Sequence, residues 1–326
     1  MPAPDAVTRT FAASDWTPDD LLAAKSASAL RLAVVIPARD EEDTVADVVS
    51  GVRAAWVDEV PLVDEVVVVD SDSTDATARR AAEAGAVVHA ARDIRPDQGP
   101  ARGKGEALWK SLFVTGADIL AFIDSDLVEW GPHFVSGLLG PLLTHDDVAL
   151  VKAVYDRPLL DAGGHEAETG GRVTELVARP LLALHRPGLA GVVQPLAGEW
   201  AVRRSVLDQL SVPVGYGVEV AALVDTADLL GAAAVVQVDL GRRAHRHHRH
   251  DTLGPMSVQV MAAVEARTGV RAVSRTSEVV TLRQFDRTPD GHTAHPRSVE
   301  LMERPPAASV PGYRQDVPDH VTGAEA

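Results

Sequence analysis

An α/β domain built on a mostly parallel, doubly covered sheet is what this sequence predicts, on three observations. Short β-branched runs alternate with longer amphipathic ones between residues 31 and 124, the first two runs are apolar almost throughout, and several runs end in polar, acid-rich loops. Near-continuous apolar character marks strands covered on both faces. Strand, helix, strand at this spacing implies right-handed crossovers between parallel neighbours. Such sheets bind ligands beyond the carboxyl ends of their strands, often nucleotides.

The elements follow in order. LAVVI (32–36), EVVVVD (65–70), AVVHA (86–90) and DILAFID (118–124) read as strands, with helices expected over 41–56, 75–84 and 104–116. Glu41, Glu42 and Asp43 open the first helix, where the positive end of its dipole favours acids. After residue 124 the pattern predicts a helix at 132–143 opened by Pro132, a strand at 147–154, a polar Gly-rich loop at 161–171 and a helix at 172–186. An irregular segment (191–203), a helix (216–230), a strand (233–240), an Arg/His run and a helix (254–268) complete the series. No sharp linker or repeat interrupts residues 1–285, whereas residues 1–15 and the Pro-rich end from about 303 read as mobile or loosely packed arms.

Composition excludes several function classes. The 326 residues carry 31 Lys plus Arg against 47 Asp plus Glu, a formal charge of −16, which opposes binding to nucleic acid or anionic lipid. With no Cys there is no disulfide framework, thiol nucleophile or Cys-ligated metal, so any metal must be held by Asp, Glu or His. The N-terminal stretch lacks the apolar core of a signal peptide, and no stretch approaches the ~18 apolar residues that would span a bilayer; the expectation is a cytoplasmic protein without membrane contact.

The strongest chemical feature is Asp124-Ser125-Asp126 at the end of a hydrophobic strand. Two carboxylates there can hold a hard divalent ion that also takes oxygens from a diphosphate, although an Asp-rich turn is the plainer alternative. Asp70-Ser71-Asp72-Ser73-Thr74-Asp75 follows the second strand in the same way; Ser71 and Asp72 are expected to face ligand and Asp75 to brace the next helix. Pro37-Ala38-Arg39-Asp40-Glu41-Glu42 forms a third loop on that edge, in which Glu41 meets a ribose hydroxyl or merely stabilises the helix start. Gly103-Lys104-Gly105 opens a helix, its glycines letting backbone approach a ligand while Lys104 offers a point charge; it is not a Walker loop. Gly170-Gly171-Arg172-Val173-Thr174 is a small anion receptor at a helix start, or a simple cap. In the run RRAHRHHRH (242–250), Arg243 and His245 are expected at the site, with one imidazole completing the Asp126 metal position, and His250 in solvent. Tyr216 and Glu219, three apart on one expected helix face, meet sugar hydroxyls, or Glu219 pairs with an arginine.

In this order, PARDEE, VVVDSDSTDAT, GKGEALW, FIDSDL, TGGRVTELVARPLL, QPLAGEWAVR, GYGVEV and RAHRHH resemble the actinobacterial glucosyl-3-phosphoglycerate synthases, retaining glycosyltransferases of family 81 with a GT-A fold. The resemblance spans about residues 30–265, and its later motifs are the more specific. It implies that Pro37, Ala38, Glu41 and Ser71 hold the uridine nucleotide, that Lys104 meets the donor's phosphate–sugar part, and that Asp124 and its neighbour Ser125 lie on the donor side. Asp126 and His245 would ligate Mg²⁺, or Mn²⁺ or Co²⁺, while Arg243 would reach the diphosphate. Gly171, Arg172, Val173 and Thr174 would seat 3-phosphoglycerate, and Leu196, Tyr216 and Glu219 would surround the glucose. The family often carries Asn where this chain has His247, beside the acceptor phosphate, so acceptor affinity would follow an imidazole that becomes cationic near pH ~6.5.

On that resemblance, residues 16–155 form a nucleotide-sugar-binding half and 156–285 an acceptor-binding half of one domain, flanked by a flexible arm (1–15) and a partly flexible extension (286–326). The implied reaction moves glucose from UDP-glucose to the 2-hydroxyl of 3-phosphoglycerate with retention, in a homodimer. Lys104 and a metal ion would stabilise the leaving diphosphate, and the Leu196 carbonyl would steady the sugar cation, with Glu219 beside it. Two alternatives stay open: mannosyl transfer from GDP-mannose to the same acceptor, and a nucleotide-sugar-binding regulator without catalysis.

Overall fold

The computed structural model of the chain describes residues 9–156, 158–160, 166–169, 171–245, 250–289 and 291–313. Its first half runs β1 (Thr10–Ala12), α1 (Pro18–Ser28), β2 (Leu32–Ala38), α2 (Val45–Arg53), β3 (Glu65–Asp70), α3 (Thr77–Glu83), β4 (Val87–Ala90), α4 (Lys104–Ser111), β5 (Ile119–Phe122) and β6 (Leu127–Glu129). Then come α5 (His133–Thr144), β7 (Leu150–Asp156), β8 (Pro158–Leu160), β9 (Glu166–Thr169), α6 (Arg179–His185), β10 (Trp200–Arg203), α7 (Arg204–Leu207) and β11 (Val212–Pro213). The remainder is α8 (Val218–Leu230), β12 (Val235–Arg242), β13 (Ala244–His245), α9 (His250–Arg267), β14 (Glu278–Thr288), β15 (Gly291–Leu301) and β16 (Glu303–Arg304).

Eight strands form one sheet in the order β1-β12-β7-β10-β5-β2-β3-β4. All run parallel except β10, which is antiparallel to both β5 and β7. Alternate residues of each strand feed opposite layers. Ala33, Val35, Val67 and Val69 join Trp109, Phe122 and Trp200 in one apolar cluster. Leu32, Val34, Ile36, Val66 and Val68 join Val48, Val52, Phe134 and Leu138 in the other. Each cluster draws on residues from both sides of 155, so the two halves read from the sequence share their cores. Among the described residues no helix is long and apolar enough to cross a membrane.

Several elements differ from expectation. Residues 191–203, read as irregular, contain β10 at the centre of the sheet. Four residues are too few for any periodicity to show, and pairing on both edges comes only from distant strands. Residues 10–12 of the expected flexible arm pair with β12, and Thr17 caps α1 through a box with Asp20. The helix expected to reach 116 ends at Ser111. The boundary expected at 286 falls inside β14, which pairs with β15 over 11 residues as a hairpin exposing Val279 and Phe285. Beyond it the chain returns to the core: β16 pairs with β11, and Arg304 clasps Glu106 of α4 at 2.7 and 2.8 Å.

Candidate active site

A cavity of about 470 Å³ opens where β2, β3 and β5 end, the edge at which parallel sheets bind ligands. Pro37, Ala38, Glu41 and Ser71 form one wall. The loops are tied together: Ser71 N donates to Ala38 O at 2.9 Å, and Thr74 N to Asp40 Oδ1 at 2.7 Å. Asp75 accepts from Thr77 N and Glu42 N, in keeping with a bracing role. Asp72, expected to face ligand, pairs with Arg92 at 3.1 Å and stands outside this cavity's lining.

Lys104, Asp124, Ser125 and Asp126 form a second wall. The glycines beside Lys104 both make room for protein backbone: a Cβ on Gly105 would fall 1.8 Å from Pro213 O, and one on Gly103 2.4 Å from Val214 O, while Gly103 also lines the cavity and Gly105 does not. Glu106 N donates to Val214 O at 3.0 Å, completing the clasp. The Ser125 hydroxyl donates to Pro37 O at 3.0 Å, joining the first and second walls. Opposite stand Gly171, Arg172, Val173, Thr174, Leu196, Tyr216 and Glu219. Gly171 has φ +95°, a conformation that favours glycine, and its carbonyl accepts from Glu175 N at 3.0 Å. Tyr216 lies in the turn ahead of α8 rather than on the helix with Glu219, yet both reach the cavity. Cavity residues that sequence reasoning missed include Arg102, Gly198, Met256 and Gln259. Arg102 was within reach of inspection, adjoining the Gly103-Lys104 motif, whereas Met256 and Gln259 carried no local signal on α9.

Charge is concentrated between and beneath the walls. Lys104 Nζ lies 2.5 Å from Asp124 Oδ1 and 2.9 Å from Glu219 Oε1. Burial by itself would lower the Lys104 pKa, but Asp124 and Glu219 together reverse this and hold it above the ordinary lysine value. Arg243, expected at the diphosphate, is instead 1% exposed beneath the cavity. It meets Asp124 at 2.9 Å, Glu199 at 3.0 Å and Asp126 at 3.6 Å, with Tyr155 under its guanidinium. Glu199, itself 0% exposed, shares that guanidinium with Asp124 and Asp126 in the interior. Burial pushes the Glu199 carboxyl up while Arg243 opposes the shift, and Tyr155 Oη donates to Glu199 Oε2 at 2.5 Å.

Asp126 lines the cavity, and the β6–β13 ladder pairs His245 with Leu127, one residue beyond Asp126. Among the described residues no cluster of three side-chain ligands forms. A carboxylate from Asp126 and an imidazole from His245 are a donor set that would suit a divalent ion able to take its remaining ligands from a diphosphate and water; of these two only the Asp126 side chain is described. His247, Gly170 and residues 246–249 lie outside the described residues.

A family model described as glycosyl transferase family 2 matches residues 33–209. Glucosyl-3-phosphoglycerate synthase of Mycolicibacterium smegmatis is 48% identical over 295 residues, covering 90% of this chain and 94% of that protein. The chain belongs to the glucosyl-3-phosphoglycerate synthase family. A crystal structure of the Mycobacterium tuberculosis synthase with Mn²⁺, UDP and phosphoglyceric acid matches with a TM-score of 0.81 at 43% identity, over 93% of this chain and 98% of that one. Another, with Mn²⁺, UDP and glucosyl-3-phosphoglycerate, matches with a TM-score of 0.79 at 44% identity, over the same shares. The family 2 match takes in three sides of the cavity but stops before Tyr216, Glu219, Arg243 and His245. The Mycolicibacterium smegmatis synthase is aligned over 90% of this chain, well beyond the stretch that the family 2 model matches.

Proposed function

We propose that the chain transfers glucose from UDP-glucose to the 2-hydroxyl of 3-phosphoglycerate with retention at the anomeric carbon. The observation that carries this reading is one cavity lined both by the β2, β3 and β5 loops and by Gly171–Thr174, which supports a nucleotide-sugar held by the first set and a phosphorylated acceptor by the second. Crystal structures of the Mycobacterium tuberculosis synthase hold UDP-glucose, phosphoglyceric acid and glucosyl-3-phosphoglycerate, which supports the same substrates here.

In this reading Pro37, Ala38, Glu41 and Ser71 receive the uridine, and Arg172, with the Gly171 and Thr174 backbone, receives the acceptor's phosphate and carboxylate. Asp126 and His245 would hold Mg²⁺ or Mn²⁺, which when bound supplies charge neutralisation at the diphosphate. The bond from the glucose anomeric carbon to the diphosphate oxygen breaks, and its electron pair leaves with UDP. Lys104 stabilises that developing charge. The acceptor's 2-hydroxyl attacks on the same face, forming the new C–O bond and passing its proton to the departing phosphate. Glu219 is a poor nucleophile, because it is buried and ion-paired with Lys104 at 2.9 Å. Leu196 lines the cavity, and in this reading its carbonyl steadies the positive charge of the sugar.

We further place the protein in the cytoplasm, alongside its phosphorylated substrates, as a homodimer; Val279 and Phe285 on the β14–β15 hairpin offer apolar surface to a second copy. The deciding experiment is incubation with UDP-glucose, 3-phosphoglycerate and Mg²⁺, with the product's anomeric configuration read by NMR. An α-linked product is expected; a β-linked product, or turnover only with GDP-mannose, would overturn the reading. Light scattering after size exclusion tests the dimer, and a monomer mass would remove it.

A further inference from the structure

Beneath the cavity lies a lysine that the proposed chemistry does not use. Lys152, on β7 at the centre of the sheet, is 0% exposed and lies 5.7 Å from the Trp200 ring centre. Its Nζ donates to Ala197 O at 2.8 Å. Among the described residues no carboxylate comes within ion-pair distance of it. The charged groups around it are Glu219 on α8, Lys104 on α4, Glu199 before β10 and Asp124 after β5. Burial, reinforced by the positive charge of Lys104, pushes its pKa down to about 7. An apolar side chain would fill this place without the cost of desolvating an amine. The nitrogen therefore calls for a role of its own, and the group it holds adjoins the reacting centre.

Ala197 follows Leu196 in a tight turn in which Ala197 N donates to Gln194 O at 3.0 Å. Among the described residues there is no cis peptide, so the Leu196 carbonyl points opposite to that N–H, out of the turn. The next peptide is pinned by Lys152 through its carbonyl. The following residue, Gly198, packs so closely on Asp124 that a Cβ would lie 2.1 Å from Oδ2. The turn is thus held at successive peptides, and Lys152 is its anchor on the interior side.

We propose that Lys152 is a positioning residue for glycosyl transfer, holding the Ala197 carbonyl from below and thereby fixing the turn that presents the Leu196 carbonyl to the sugar. This rests on the glucosyl-transfer reading given above. Displacement of a reacting-site group by about 1 Å can cost on the order of 100-fold in rate while leaving binding intact. The test measures initial rates with UDP-glucose and 3-phosphoglycerate for the wild type, Lys152→Met and Lys152→Gln, together with UDP affinity in Mn²⁺ by calorimetry. The Met variant should lose roughly 10–100-fold in kcat, with both KM values and the UDP affinity within about twofold of wild type. The Gln variant, which keeps an N–H donor on a shorter stem, should recover part of that loss. A Met variant within twofold of wild-type kcat, KM values that rise in proportion to the loss, or a Gln variant no better than Met would overturn the proposal. So would failure of both variants to fold, which would assign the residue to the core alone. An active wild type with an equally active Met variant removes this proposal only, whereas a wild type that transfers no glucose removes the underlying reading and the proposal with it.

Discussion

Replacing Lys152 with methionine should also stabilise the protein by an amount that shrinks as pH rises. The lysine is fully buried, and its pKa falls from 10.5 to about 7 on folding. At ~1.4 kcal/mol per tenfold, keeping the ammonium buried costs about 5 kcal/mol below pH 7, where both folded and unfolded chains carry the proton. Above pH 7 the folded state releases that proton while the unfolded chain keeps it up to 10.5. The unfolded state then binds more protons, so wild-type stability climbs with pH. Methionine removes this slope and leaves Ala197 O without its donor, a pH-independent loss of about 1–3 kcal/mol. The variant should therefore exceed wild type by roughly 2–4 kcal/mol near pH 6, and the gap should narrow by about 2 kcal/mol between pH 7 and 9. Urea unfolding of both proteins at four pH values reads the difference directly, because other titrating groups cancel between them. A gap that stays flat over this range, or widens with pH, would refute the argument.

Four further outcomes are expected. Lys104→Met should lower kcat by about 100- to 1,000-fold in steady-state assays, since it removes positive charge from the leaving diphosphate. Arg172→Ala should raise the KM for 3-phosphoglycerate by ~10–100-fold, the worth of a charge-assisted hydrogen bond, and the KM for UDP-glucose by less than about twofold; equal rises would count against the anion receptor. Exhaustive chelation should abolish turnover, with Mg²⁺ or Mn²⁺ restoring it in the wild type and not in Asp126→Asn. Gly105→Ala, whose new methyl would meet Pro213 O at 1.8 Å, should lower the urea midpoint by an amount equivalent to more than about 2 kcal/mol.

Legibility from sequence followed the range of the interactions involved. The strands at 32–36, 65–70 and 118–124 are evident because an apolar, largely β-branched run is a local property, and the loops that end them carry Pro37, Ala38 and Glu41, Ser71, and Asp124 and Asp126 in turn. The box of Thr17 with Asp20 that caps α1 is a local signal too, one that the reading along the chain passes over. By contrast, β10 is four residues long and owes its central place to pairing with β5 and β7, partners about 50 to 80 positions earlier in the chain.

Sequence by itself therefore determined the α/β class, the sheet edge that carries the chemistry and most of the side chains that line it. These depend on residue type and on spacing within single elements. Tertiary structure alone decided which charges are buried together: Lys152 and Glu199 look like ordinary surface residues when read along the chain, and Arg243, expected at the site, is buried against Glu199. It also decided that Gly103 and Gly105 admit the backbone of the 213–214 segment. The physical reason is the same in each case. The pKa of a buried charge and the space available to a Cβ are set by neighbours that only the folded sheet brings within a few ångströms.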